Sequence, residues 1–128
     1  MNRLMVFLDA IRDHLDSFAL PPASSVRVGV GTDPITVQLD SRRLEDVARG
    51  LLAWADSLED VKTSLWRPEG GASVHLELSG RTPCGIPIVV YGGVWFDEAT
   101  FPDLPAGMRQ DMPVFVLRQW NTPGEVAA

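Results

Sequence analysis

The hydrophobic period changes three times along this chain, and those changes confine it to a layered α+β domain. Leu4, Leu8, Ile11, Leu15 and Phe18 recur at spacings of 4, 3, 4 and 3, with Asp9, Arg12, Asp13 and Asp16 between them. That period gathers the apolar side chains on one face of a helix. Asn2 stands where it can cap the helix. Pro21 and Pro22 end it, since neither has an amide hydrogen and each restricts the residue before it.

A period of two follows. Val26, Val28 and Val30 alternate with other residues, as do Ile35, Val37 and Leu39, on either side of Gly31-Thr32-Asp33-Pro34. This predicts a β-hairpin. Leu44, Val47, Ala48, Leu51, Leu52, Ala55 and Leu58 then restore the helical stripe, predicting a helix from about Arg42 with Ser41 or Asp40 as cap. Gly50 inside it costs about 1 kcal/mol relative to alanine, or marks a close approach to the sheet.

From Val61 the period is two again. Val61, Thr63 and Leu65, then Val74, Leu76 and Leu78, then Ile86, Ile88 and Val90 are divided by Pro68-Glu69-Gly70-Gly71 and by Gly80 to Gly85, the pattern of an antiparallel meander. Val89 and Tyr91 make the third of these strands apolar on both faces, so it is expected to be central or covered. Gly92-Gly93 is expected to bend or bulge it. Asp97 to Met112 reads as an irregular loop, Pro113 to Leu117 as a final strand, and residues 121–128 as a flexible tail. The expectation is a single α+β domain over residues 1–120, a mostly antiparallel sheet of five to six strands with two amphipathic helices on one face. The chain order is α-β-β-α-β-β-β-loop-β.

Length and composition suit that architecture. The 128 residues allow one core, and 45% hydrophobic with 22% charged residues is a globular balance. The longest apolar runs, such as Ile86 to Tyr91, fall far short of the roughly 20 residues that cross a bilayer. Asp9, Asp13 and Asp16 interrupt the first segment, unlike the apolar stretch of a signal peptide. A cytoplasmic protein with no membrane partner is expected. Cys84, the single cysteine, has no intrachain disulfide partner. The net charge of −6 and scattered arginines disfavour direct nucleic-acid binding, which relies on a basic face to meet phosphates.

No catalytic, cofactor or metal site emerges from the motifs. Asp9, Asp13 and Asp16 could converge on a cation, but they lack the glycine turn of a calcium loop and read as a solvated helix face. His14 and His75 lie in no ligand-spaced motif and read as surface histidines, His75 at an outward strand position beside Glu77. Cys84 has no base beside it in sequence that would activate a thiolate. Gly29-Val30-Gly31 resembles the start of a phosphate loop but runs into another strand instead of a helix.

The four tryptophans suit either a packed core or a recognition surface, since a large rigid ring contributes much burial in both. Trp95, Phe96 and Phe101 stand beside Asp97, Glu98 and Asp103 in the least regular segment, and are read as a lightly buried partner-binding surface with an acidic rim. Trp66, Tyr91 and Trp120 are read as the surface for self-association, most simply a symmetric dimer covering the second face of the sheet. Trp54 belongs to the same set of ring residues available to cover that face.

Trp54-Ala55-Asp56 within Leu51 to Leu58, followed by Gly80-Arg81-Thr82-Pro83-Cys84-Gly85-Ile86-Pro87-Ile88-Val89-Val90, resembles small uncharacterised proteins of actinobacteria and their phages or integrated elements, over about a third of the chain. The resemblance implies a source and no active residue. The leading expectation is a small accessory protein that binds another protein or itself. A small-ligand binder or enzyme with a pocket over the sheet, around Trp66, His75 and Tyr91, is the alternative. An acidic decoy of a nucleic-acid-binding protein is the third.

Overall fold

Most of the periods read from the sequence become elements, and the last third of the chain departs from them. A computed structural model describes residues 2–29, 31 and 33–121. Along the chain run α1 (Arg3–Ser17), β1 (Ala23–Arg27), β2 (Ile35–Leu39), α2 (Leu44–Ser57), β3 (Glu59–Trp66), β4 (Ser73–Arg81), β5 (Pro87–Trp95), β6 (Arg109–Met112) and α3 (Val114–Trp120). The Asn2 side chain accepts from the Leu4 amide at 2.9 Å and starts α1 as expected. The first residue of α2 is preceded by Arg43, which makes no side-chain cap; Ser41 Oγ instead accepts from the Arg43 amide, short of the expected capping role.

The six strands form one sheet in the order β1-β2-β5-β4-β3-β6. The β1–β2 hairpin and the β3–β4–β5 meander are antiparallel, and so is β3–β6. Only β2 and β5 run parallel. A parallel pair needs a long crossover, and here the connection contains α2 and the first two strands of the meander. The strand with apolar residues on both faces, β5, is central, between β2 and β4.

One parity of each strand faces the helices. Ile35, Val37 and Leu39 of β2, Val74, Leu76 and Leu78 of β4, and Ile88, Val90 and Val94 of β5 are buried with Val47, Leu51 and Trp54 of α2, Phe7 and Ile11 of α1 and Leu117 of α3. Two glycines let the layers approach. A Cβ at Gly92 would lie 2.8 Å from Val47 Cγ1, and one at Gly50 would lie 3.0 Å from Leu39 Cδ1. Gly50 therefore marks close helix–sheet packing, whose burial offsets its propensity cost.

His14 corrects the surface reading given to both histidines. It is buried between α1 and α2, its ring 5.4 Å from that of Trp54 and 4.7 Å from that of Phe18. Ser57 Oγ lies 2.8 Å from His14 Nε2 and within donating distance, 2.9 Å, of the Trp54 carbonyl. Burial holds the imidazole below its ordinary value by disfavouring the charged form.

Several expectations are corrected. Gly92 and Gly93 pair in unbroken register with Leu76 and His75, so they neither bend nor bulge β5. The segment read as a loop ends in β6, and Thr63 Oγ1 donates to the Met112 carbonyl to tie it to β3. Residues from Val114 form a third helix, not a final strand. Pro113, at φ −69°, is suited to the position just before a helix, and one buried residue, Leu117, anchors two short turns to α2. Valines and a phenylalanine there imitate strand composition, but burial selects the helix. The first strand ends at Arg27; Val30, Thr32 and tail residues 122–128 lie outside the described residues. Among those described, no helix is long and apolar enough to cross a membrane.

Candidate functional site

With the helices on one side, the second parity of every strand faces away from the core, and pairing arranges those residues in rows across the sheet. One row reads Arg27, Thr36, Val89, Ser79 and Lys62 from β1 to β3. The next reads Ser25, Gln38, Tyr91, Glu77, Ser64 and Asp111. The third reads Gly93, His75, Trp66 and Arg109. Trp95 opposite Ser73 follows along β5.

These rows carry an aromatic ladder. The Trp66 and His75 rings lie 5.3 Å apart and the His75 and Tyr91 rings 6.1 Å apart. The Arg109 guanidinium sits 5.6 Å from the Trp66 ring centre and pairs with Glu77. A trough of about 430 Å³ crosses the ladder from Arg27 and Thr36 to Trp66 and Arg109. A second, of about 400 Å³, lies on the other side of His75 and Tyr91 and reaches Gln38, Gly93 and Trp95. Gly93 has nothing within 4 Å of a built Cβ, and so leaves a notch between Tyr91 and Trp95.

Much of the polar chemistry on this face has no partner within the chain. Arg27, His75 and Tyr91 make no side-chain hydrogen bond or ion pair among the described residues. Such groups are available to a ligand or partner without breaking an existing contact. The charge is also distinctive. Arg27, Lys62, Arg81 and Arg109 hold outward register positions with Glu59, Glu77 and Asp111, so basic and acidic groups nearly balance on this face of a chain of net charge −6.

Of the residues expected to bind a partner, the structure separates those at the surface from those in the core. Trp95 is 66% exposed on the open face. Phe101 is 4% exposed, which overturns its reading as lightly buried. Its ring lies 6.3 Å from Phe96 and 5.5 Å, edge-on, from Trp120. Arg67 locks this cluster: its guanidinium lies 3.4 Å from the Phe96 ring centre and donates to the carbonyls of Gly71 and Leu104. Asp97, Glu98 and Asp103 are exposed around it, with Asp97 accepting from Thr100 Oγ1. Irregular backbone here is held by side-chain-to-carbonyl bonds and a packed aromatic group, and an irregular period does not imply an open surface.

The three residues expected to mediate self-association also divide. Trp66 and Tyr91 share the open face, whereas Trp120 is on the helical side, packed on Phe101. Trp66, His75 and Tyr91, named together as the lining of a pocket over the sheet, are adjacent as that reading requires. Sequence reasoning missed Arg27 and Arg109. Arg27 holds a legible outward strand position, but Arg109 falls in the segment without a period. Cys84 is exposed in the turn before β5, and Asp9, Asp13 and Asp16 are exposed on α1. The chain matches no protein-family model, no curated protein and no solved structure.

Proposed function

We propose that this protein acts as a binding module for another protein, and that its working surface is the open face of the sheet. One observation carries the reading: the face left bare by the helices bears Trp66, His75, Tyr91 and Trp95 together with unpaired Arg27. Aromatic and arginine side chains dominate the energetics of protein interfaces, because each contributes large contact at modest entropic cost. A sheet face is broad and shallow, which suits a protein surface better than a small molecule, whose sites bury most of the ligand. Arg27, without an ion-pair partner among the described residues, favours an acidic group on the partner.

A ligand of small size is a second reading, favoured by the 430 Å³ trough beside the ladder. Capture experiments from the source cells separate the two. Bait carrying Arg27→Glu and Tyr91→Ala, which removes two groups without hydrogen-bond partners, should fold like the parent and retain less than about a tenth of the captured partner, as expected for hot-spot loss. Equal capture by both baits would refute this surface. Capture of no protein, with a small molecule co-purifying only with the parent, would move the reading to the ligand.

A further inference from the structure

We propose that α1 forms a symmetric homodimer by packing antiparallel against α1 of a second copy, leaving the open sheet face free. The first observation is exposure. Six of the ten exposed large apolar side chains among the described residues, Leu4, Met5, Leu8, Leu15, Phe18 and Val26, lie on α1, its C-cap or β1. Isolated exposed leucines need no explanation, but a contiguous set does, and four of the six, Leu4, Leu8, Leu15 and Val26, line one groove. At 100° per residue the stripe of α1 divides in two: Phe7, Ile11 and His14 enter the core, and Leu4, Leu8 and Leu15 flank a groove of about 500 Å³ whose other wall is Val26 and Val28. Half of the hydrophobic stripe is therefore buried by the domain and half is left uncovered.

The pattern identifies the occupant. Leu4, Leu8, Ile11 and Leu15 are spaced 4, 3 and 4, which reads identically in both directions. An antiparallel pair centred between Asp9 and Ala10 sets Leu4 against Leu15 of the partner subunit and Leu8 over the groove floored by Ile11 of the partner subunit, itself only 5% exposed, twice over, as an isologous interface requires. The charges on the rim are self-complementary in the same arrangement. Asp9 and Arg12 stand on one rim, already joined at 3.3 Å and both well exposed, and the two-fold brings each Arg12 toward Asp9 of the partner subunit. An exposed pair of this kind contributes little within one chain and is free to exchange. Strand addition at the outer edge of β1 is disfavoured, because a register shift between Ala23 and Ser25 and the two preceding prolines blunt that edge.

Sedimentation equilibrium of the whole chain from about 1 to about 200 µM tests this, a range suited to a modest interface. The parent should move from monomer to dimer within that range. Leu8→Glu, which sets two carboxylates close to the two-fold axis, should stay monomeric, with the urea midpoint of the parent at about 1 µM, where both are monomers. Asp9→Arg and Arg12→Glu should each weaken the dimer about tenfold, since each replaces two attractive rim pairs with repulsive ones. Mixed in equal amounts, those two variants should recover the parental affinity, because every rim contact between unlike chains then joins an acidic to a basic side chain. A purely intrachain role for the pair predicts no recovery. A parent that stays monomeric at the top of the range overturns the proposal. So does a dimer untouched by Leu8→Glu and abolished by Arg27→Glu/Tyr91→Ala, which would place self-association on the open face.

Discussion

Two aromatic groups meet at Trp95 and Phe96 and do opposite things. Phe96, Phe101 and Trp120 pack against one another under the guanidinium of Arg67, while Trp66, His75, Tyr91 and Trp95 stand on a sheet face with no layer over them. Trp95 and Phe96 are neighbours in sequence, and the alternation of an extended chain sends them to opposite sides. The lesson is that ring residues in a segment without a period are not thereby surface residues. Burial follows from which layer the strand parity faces, and a loop can be closed over its own rings by an arginine that satisfies carbonyls and covers a ring at once.

The sharpest way to break the comparison is Phe101→Ala. Removing a ring that is 4% exposed should cost about 3–5 kcal/mol in urea unfolding, through lost transfer energy and the cavity left behind. A cost below about 1 kcal/mol would return Phe101 to the surface group.

A smaller effect is expected from acid, through the other buried ring contact. His14 is neutral in the fold and its proton affinity is lowered there by burial. Above the ordinary histidine value of about 6.5 the ring is neutral in both states and contributes its full stabilisation. As the pH falls below that value the unfolded chain binds the proton first, so stability falls with pH, by at most about 1.4 kcal/mol per unit. His14→Gln should lower stability at about pH 7.5 and flatten the slope between about pH 6.5 and 5, the window below the ordinary histidine value. A parental slope retained in that variant would assign the acid response to another group.

The smallest expected effect is that of Trp95→Ala. With the ring 66% exposed, the urea midpoint should change by no more than about 0.5 kcal/mol in stability, while partner capture declines. A loss comparable to that of Phe101→Ala would erase the difference between the two groups.

Much of the architecture is readable from period alone: the cap at Asn2, the stop at Pro21-Pro22, the hairpin, the amphipathic α2 and the meander all follow from spacing of apolar residues. The adjacency of Trp66, His75 and Tyr91 is readable too, because outward positions of neighbouring strands meet once the meander is recognised. What escapes the period is non-local. The short β6 carries Arg-Gln-Asp-Met, with no strand alternation, and is defined by pairing with β3. His14 shows an ordinary helical position, and its burial depends on Ser57 and Trp54 far along the chain. Arg67 follows a strand in a sequence that gives no sign of the ring and carbonyls it serves.

Site-specific photo-crosslinking in the source cells tests the central claim most directly, with a photoreactive phenylalanine analogue placed in turn at Tyr91 and Trp95 on the open face and at Phe115, an exposed ring position on α3. The account predicts a covalent adduct with a second protein species from Tyr91 and Trp95, and none from Phe115. Adducts from Phe115 with none from Tyr91 or Trp95 would contradict it, and would move the working surface to the helical side of the domain.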